Sequence, residues 1–412
     1  MTLRWAILAA AVGVCNAQEI LSSRIQSLRV SGSGPSSFPV TLLAGSPITI
    51  TFDVDETNPP NFQVKVFHCD ANWERTNNVF INDELRNFTK FPLAFTPSPA
   101  GVHTYTYSYS MQLPGPPGIE QFRYSGNYIF EVWDEDGTEP LGRGKFYVAE
   151  TKDDESVRVY NFLRPSETAP RNRVNEIVVS YNVPPRNPTD PEGVMPSGVR
   201  TVAIVKNRET EFPYIIDVDD RNPDTFVEGL TTDRLVFVHD NVPAGNEYRR
   251  LDLTNIDLYP SGSLLRSVDG PDVSRYLHQG GPDFNGTSIL VTGSRYAEML
   301  QFEFDFLCDE QDPAPLYVLG DFNGWKPTAE WRMSYDETNR RYILRANLRR
   351  GAYDYEYVKD GNDAFDTEGN DWQTVNLYTA LVYYHDVRYG GFDRIVRFGQ
   401  KQGPGGNTPT AP

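Results

Sequence analysis

The sequence predicts an all-β chain of three tandem β-sandwich domains. Three observations carry that prediction. Nearly every periodic segment alternates apolar and polar residues with period two, the pattern of half-buried strands. Glycine and proline, 32 and 31 residues, are spread along the chain, as turns between many short strands require. At roughly 150 residues per domain, 412 residues divide into about three units.

Taken in order, the elements begin with "MTLRWAILAAAVGVCNAQE", a cationic start at Arg4, an apolar core from Trp5 to Val14 and a small residue at Ala17. That is a secretory signal peptide over residues 1–17, cut before Gln18. Val14 precedes Cys15, where lipoprotein processing needs a small residue, so the sequence predicts an exported, soluble protein without a lipid anchor. The first unit, 18–150, contains "FQVKVFHC", with Phe62, Val64, Val66 and His68 on one face, and "YTYSYSM", in which Tyr105, Tyr107 and Tyr109 alternate with small polar residues. It closes with a hairpin turning at Asp136-Gly137. The middle unit, 151–292, carries "EIVVSYNV", "VRTVAIVKN", "RLVFVHD" and "EYRRLDLTNIDLY"; its proline-rich stretch from Pro184 to Gly198 reads as an exposed loop. The third unit spans 293–398. The tail, 399–412, is Gly/Pro/Thr-rich and reads as disordered. Helical periodicity is weak throughout; "VSRYLHQ" from Val273 is one or two turns at most.

Charge narrows the function. The net charge of −18, from 56 acids and 38 bases, opposes a phosphate-backbone partner, whose affinity rests on cations. No stretch after the leader reaches the roughly 18 apolar residues of a membrane-spanning helix. Of three cysteines, Cys69 and Cys308 remain after cleavage and fall in different predicted units, reading as two largely buried thiols rather than a disulfide framework. The five histidines, His68, His103, His239, His278 and His385, are not spaced as metal ligands. No phosphate-cradling loop or nucleophile motif is present. The acidic runs at Asp217–Asp224 and Asp360–Asp371 do not fit the calcium-loop pattern and read as solvated loops. No catalytic residue, cofactor, metal or small-molecule substrate is predicted.

The segment from Leu316 to Gly361, with "LYVLGDFNGW", "WRM", the strand "YILRANL" and "YEYVKDG", resembles the glycogen-binding-like early-set immunoglobulin module. The resemblance implies an immunoglobulin-like fold for the last unit. It does not carry the ligand across: Glu356 stands where that module has a sugar-holding Lys, and Asn362 and Asp363 stand where it has a stacking Trp. A sugar-binding alternative would rest on Trp325, Trp331 and Trp372.

Four further segments lie in order along the chain: "FHCDANWE" from Phe67, Ser125–Glu150, "AGNEYRRLDLTNIDLYPSG" from Ala244, and "TEGNDWQTVNLYTALVYYHDVRYGGFDRIVRFG" from Thr367. Together they resemble the type IX secretion system plug protein family. The run "RRLDL" and the proline-rich loop depart from it. The resemblance implies a periplasmic protein of a Bacteroidetes-type bacterium, with the outer-membrane translocon β-barrel as partner. It implies a plug that closes the barrel's periplasmic mouth when no cargo is engaged and does no chemistry. The two competing functions are therefore a channel plug and an exported polysaccharide-binding protein; a periplasmic carbohydrate-active enzyme is a third and weaker reading. The quoted motifs read as fold determinants rather than a partner-facing site.

Overall fold

A computed structural model of the chain describes residues 18–34, 36–83, 87–89, 93–116, 118–163, 173–185, 193–275, 283–359, 364–371 and 373–403. The expected signal peptide and Trp372 lie outside these residues, as does the tail from Pro404.

Among the described residues the regular structure is nearly all β-strand, with one short α-helix, Phe365–Glu368. In the first sandwich the alternation of "YSYSMQL" becomes the strand Tyr107–Leu113, which buries Tyr109, Met111 and Leu113 and leaves Ser110 and Gln112 in solvent. It pairs with Ile48–Val54, flanked by Gln26–Ser31 and Ala94–Pro97. The opposing sheet contains Gln63–Cys69, Gly126–Trp133 and Pro140–Ala149. The last two form the hairpin whose turn needs Gly137 at φ +67°. Between the sheets lies a core that includes Ile50, Phe52, Phe62, Phe130 and Phe146.

The sheet does not stop at the end of the first unit. Pro140–Ala149 continues into the final hairpin, Asn376–Asp386 with Phe392–Gly403, and through it into Val199–Lys206 and Tyr214–Asp217. Where the two units meet, the Glu150 N–H donates to Ile395 O and the Phe398 N–H to Thr151 O, each at 2.9 Å. One ten-stranded sheet thus serves two sandwiches. Its far half faces Val157–Leu163, Arg173–Asn182, Arg234–Pro243 and Thr225–Glu228 across a core in which Tyr378, Ala380, Val382 and Tyr384 come from the final hairpin.

The third sandwich is inserted into the second. Arg249–Asp252 and Ser288–Leu290 both pair with Gly351–Val358, and Leu264–Leu265 pairs with Met299–Leu307. Three expectations change here. The boundary at 292/293 is displaced, because strands from 249 onward belong to the third sandwich. Residues 376–398 leave the third unit for the second. Gly399–Gly403, expected in a disordered tail, completes the last strand, with Gly403 opposite Asn376. The physical reason is common to all three: alternation marks a strand but does not name its partner.

Candidate functional site

Insertion of one sandwich into another requires a two-stranded neck, and the sequence motifs sit there. At the exit, Gly245 occupies left-handed backbone at φ +73°. Its N–H donates to Asn370 Oδ1 (2.7 Å), and its carbonyl accepts from the Asp371 N–H (2.7 Å). The Asn246 side-chain amide donates to Glu368 O (2.9 Å), the Asn376 amide to Ala244 O (2.7 Å), and the Val375 N–H to Glu247 Oε1 (2.9 Å). "AGNE" and "EGN", more than a hundred residues apart in sequence, therefore clasp each other through buried side chains. A polar group buried this way is stabilising only when satisfied, so the neck tolerates one arrangement.

Glu368 anchors the clasp on the third-sandwich side. Its carboxylate accepts from Arg249 Nε (2.9 Å), Arg275 Nε (2.6 Å) and the Tyr357 N–H (2.8 Å). Asp272 joins the same network, meeting Arg249 at 2.9 Å and the Tyr355 and Tyr357 hydroxyls at 2.8 and 2.7 Å. Burial pushes both phenols well up, so they donate and do not ionise.

The three tryptophans of the sugar-binding alternative fare differently. Trp325 is 1% exposed, packs on Tyr248 at 4.3 Å between ring centroids, and donates its indole N–H to Gly286 O at 2.9 Å. It cannot stack on a sugar; it is core. Trp331 is half-buried, stacked on Phe322 at 4.6 Å, and edges a cleft of about 340 Å³ with Leu28 and Glu330. Trp372 is not among the described residues. Glu356 is turned inward toward Glu209 and Lys206. Burial raises its carboxyl well above the ordinary range, the Glu209 charge adds to this, and Lys206 opposes it. The Trp325–Glu356 face of the third sandwich is thus closed by the second, with Phe212 and Tyr248 packed against Trp325 and Leu319.

Asp321, in the turn of "GDFNGW", was not singled out by sequence, and it draws side-chain partners from all three sandwiches. Arg29 of the first sandwich lies 2.7 Å from it and Arg208 of the second 3.1 Å, while Ser288 of the third donates to it at 2.5 Å. Burial works to raise the Asp321 carboxyl, but Arg208 and Arg29 together hold it below the ordinary carboxylate range. Arg208 reaches further, donating to Val30 O at 3.0 Å and to Ser37 O. Among the described residues, no three His, Cys, Asp or Glu side chains are placed to hold a metal ion.

Residues 25–150, which span the first sandwich, match the family model of the type 9 secretion system plug protein 1st domain. The chain carries a type 9 plug domain. That domain ties it to type 9 secretion and the envelope machinery that performs it. In fold, the chain is similar to the crystal structure of a hypothetical protein from Parabacteroides merdae, with a TM-score of 0.74 at 20% identity over 94% of this chain and 99% of that one. At that identity the likeness shows the fold alone. Among curated proteins compared, none matches the chain.

The plug domain is also joined to the inserted sandwich by a buried ion pair. Asp53, 1% exposed, pairs with Arg349 of the third sandwich at 2.5 Å, and Arg349 also donates to the Tyr105 hydroxyl oxygen at 2.9 Å. Burial pushes the Asp53 carboxyl up against the opposing pull of Arg349. Among the described residues no helix is long and apolar enough to cross a membrane. Cys69 is buried in the plug domain's sheet and Cys308 half-buried in the third sandwich, both as thiols.

Proposed function

We propose that this protein is a periplasmic plug of the type IX translocon, seated in the mouth of the outer-membrane β-barrel when no cargo is engaged. The observation that carries the reading is the plug-domain match over residues 25–150. The architecture supports it. A plug has to fill a wide opening as one body, and a flexible string of domains would lose much of its binding energy to ordering. Here the plug domain shares a sheet with the second sandwich, the third is clasped at its neck, and Asp321 ties all three. The reading involves no catalysis, cofactor or small-molecule substrate, and reversible seating suits a moderately polar interface.

The polysaccharide-binding alternative loses Trp325 and the surrounding face to interdomain packing, leaving Trp331 with one ring face already against Phe322. The test is genetic. Cells lacking the protein should admit large hydrophilic antibiotics through an unoccupied translocon, and a catalytically unrelated change such as altered glycan use should not appear. Unchanged permeability in the deletion strain would refute the plug.

A further inference from the structure

The largest exposures among apolar side chains near one another belong to two adjoining loops. Val79 is 77% exposed, Phe80 66%, Val387 71% and Tyr389 44%. The first pair sits in the plug-domain loop after the strand Gln63–Cys69, the second in the turn of the final hairpin. Phe80 and Tyr389 lie 6.0 Å apart between centroids, and the Asn78 side-chain amide donates to Tyr389 O. Behind them Ile81, Tyr124 and Phe392 form a buried cluster. Asn82 pins the loop by donating to Thr76 O (2.7 Å) and accepting the His68 N–H (2.6 Å). Asn78 Oδ1 accepts the Phe80 N–H at 2.8 Å. The tip is therefore preorganised. Tyr389 even sits in left-handed backbone at φ +53°, a costly conformation for an aromatic residue that gains little burial within this chain.

Charge decides among occupants. Residues 76–82, "TNNVFIN", carry no formal charge. In 387–391, "VRYGG", Arg388 is held by Asp386 in a bidentate pair (2.9 and 2.5 Å). A tip whose one charge, Arg388, is already neutralised by Asp386 can enter an apolar recess without leaving an unpaired ion there. The one arginine of these two loops, Arg388, is engaged by Asp386 rather than turned to anionic lipid, and the acidic chain would be repelled there. A projecting tip also does not complement a second copy of itself, as a two-fold contact would require.

We propose that the tip formed by Val79, Phe80, Val387 and Tyr389 is the anchor by which this protein docks into an uncharged apolar recess on the translocon barrel. The proposal rests on the plug reading, and the anchor is the small buried centre of a wider polar contact.

The test uses full-length protein restored to a deletion strain, with translocon purified in detergent from its outer membrane. The wild type should co-purify with the barrel, whereas Val79→Ser/Phe80→Ser and, separately, Val387→Asp should reduce recovery by at least about tenfold. All should keep the wild-type melting temperature, because the altered side chains are exposed. Variants recovered as well as the wild type would overturn the anchor and leave the plug intact. A wild type that never co-purifies would overturn both. Flotation of the wild type with phosphatidylethanolamine/phosphatidylglycerol vesicles, lost in the variants, would reassign the tip to lipid and overturn the proposal. A wild-type dimer in gel filtration, lost in the variants, would reassign it to self-association and likewise overturn it.

Discussion

Arg208, just beyond the strand Val199–Lys206 of the second sandwich, lies 3.1 Å from Asp321 in the third, and their side chains are 7% and 3% exposed. Arg29 of the first sandwich meets the same carboxylate at 2.7 Å. A buried ion pair adds modest net stability when complete, but removing one member strands the other charge away from water. The joint is therefore specific rather than merely adhesive.

Asp321→Asn should lower stability to urea by about 3 kcal/mol, since two guanidiniums lose their counter-charge. Adding Arg208→Met should restore part of that loss. An unchanged urea midpoint for Asp321→Asn would show that the three sandwiches do not depend on this joint.

Trp325→Ala should cost about 3–5 kcal/mol, because it opens a cavity beside Tyr248 and leaves Gly286 O without its donor. Trp331→Ala should cost about 2 kcal/mol or less, its ring being half-buried against Phe322. Calorimetry separates the two. Affinity electrophoresis through a starch-like polymer should show no retardation of the wild type.

The contrast between those tryptophans shows what sequence could and could not deliver. Strand alternation and the Asp136-Gly137 hairpin were legible because each is a local pattern, as were the segments from Phe67 and Ser125 that fall within the plug-domain match over residues 25–150. The nesting was not, since nothing in "RRLDL" or "NLYTALVYY" says that one pairs with Gly351–Val358 and the other with Val199–Lys206. "AGNE" and "EGN" were legible as fold determinants, yet their mutual clasp was invisible because it joins residues across the whole inserted sandwich. The "GDFNGW" turn pointed toward Trp325 and a sugar, whereas its consequential residue is Asp321. An acidic residue among 56 carries no mark of burial until its partners are placed.

His68 should make stability fall with acidity. Its ring is buried, hydrogen-bonded to Thr76 Oγ1 (2.8 Å) and Ser125 O (3.0 Å), and burial holds its pKa down at about 4. Between that value and the ordinary 6.5, the unfolded chain binds a proton that the folded chain refuses. The contribution is full above pH 6.5 and is lost as pH falls toward the folded value, a span worth about 3 kcal/mol. Asp354, pushed up to about 7 mainly by burial and then by Asp283, gives the opposite slope. The readout is therefore the difference between wild type and His68→Asn in urea titrations across this range. A difference independent of pH would contradict the assignment.

Glu356→Gln should change stability by less than about 1 kcal/mol at neutral pH. Burial and then Glu209 push that carboxyl well above its ordinary range, toward the neutral form that an amide of the same shape replaces. Glu356→Lys, which restores the residue type of the sugar-binding module, should destabilise strongly by placing a second ammonium beside Lys206. Equal melting temperatures for the two variants would show that Glu356 is not held neutral in the interdomain core.

The plug itself is tested most directly by conductance. Translocon purified from cells lacking this protein, reconstituted without cargo in a planar bilayer, should conduct as an open pore. Adding the purified mature protein to the periplasmic side should close it at about one copy per barrel, the stoichiometry expected of a single rigid body filling one mouth. Val79→Ser/Phe80→Ser should close it only at much higher concentration. A pore that stays open at saturating wild-type protein, or that is already closed without it, would contradict the account.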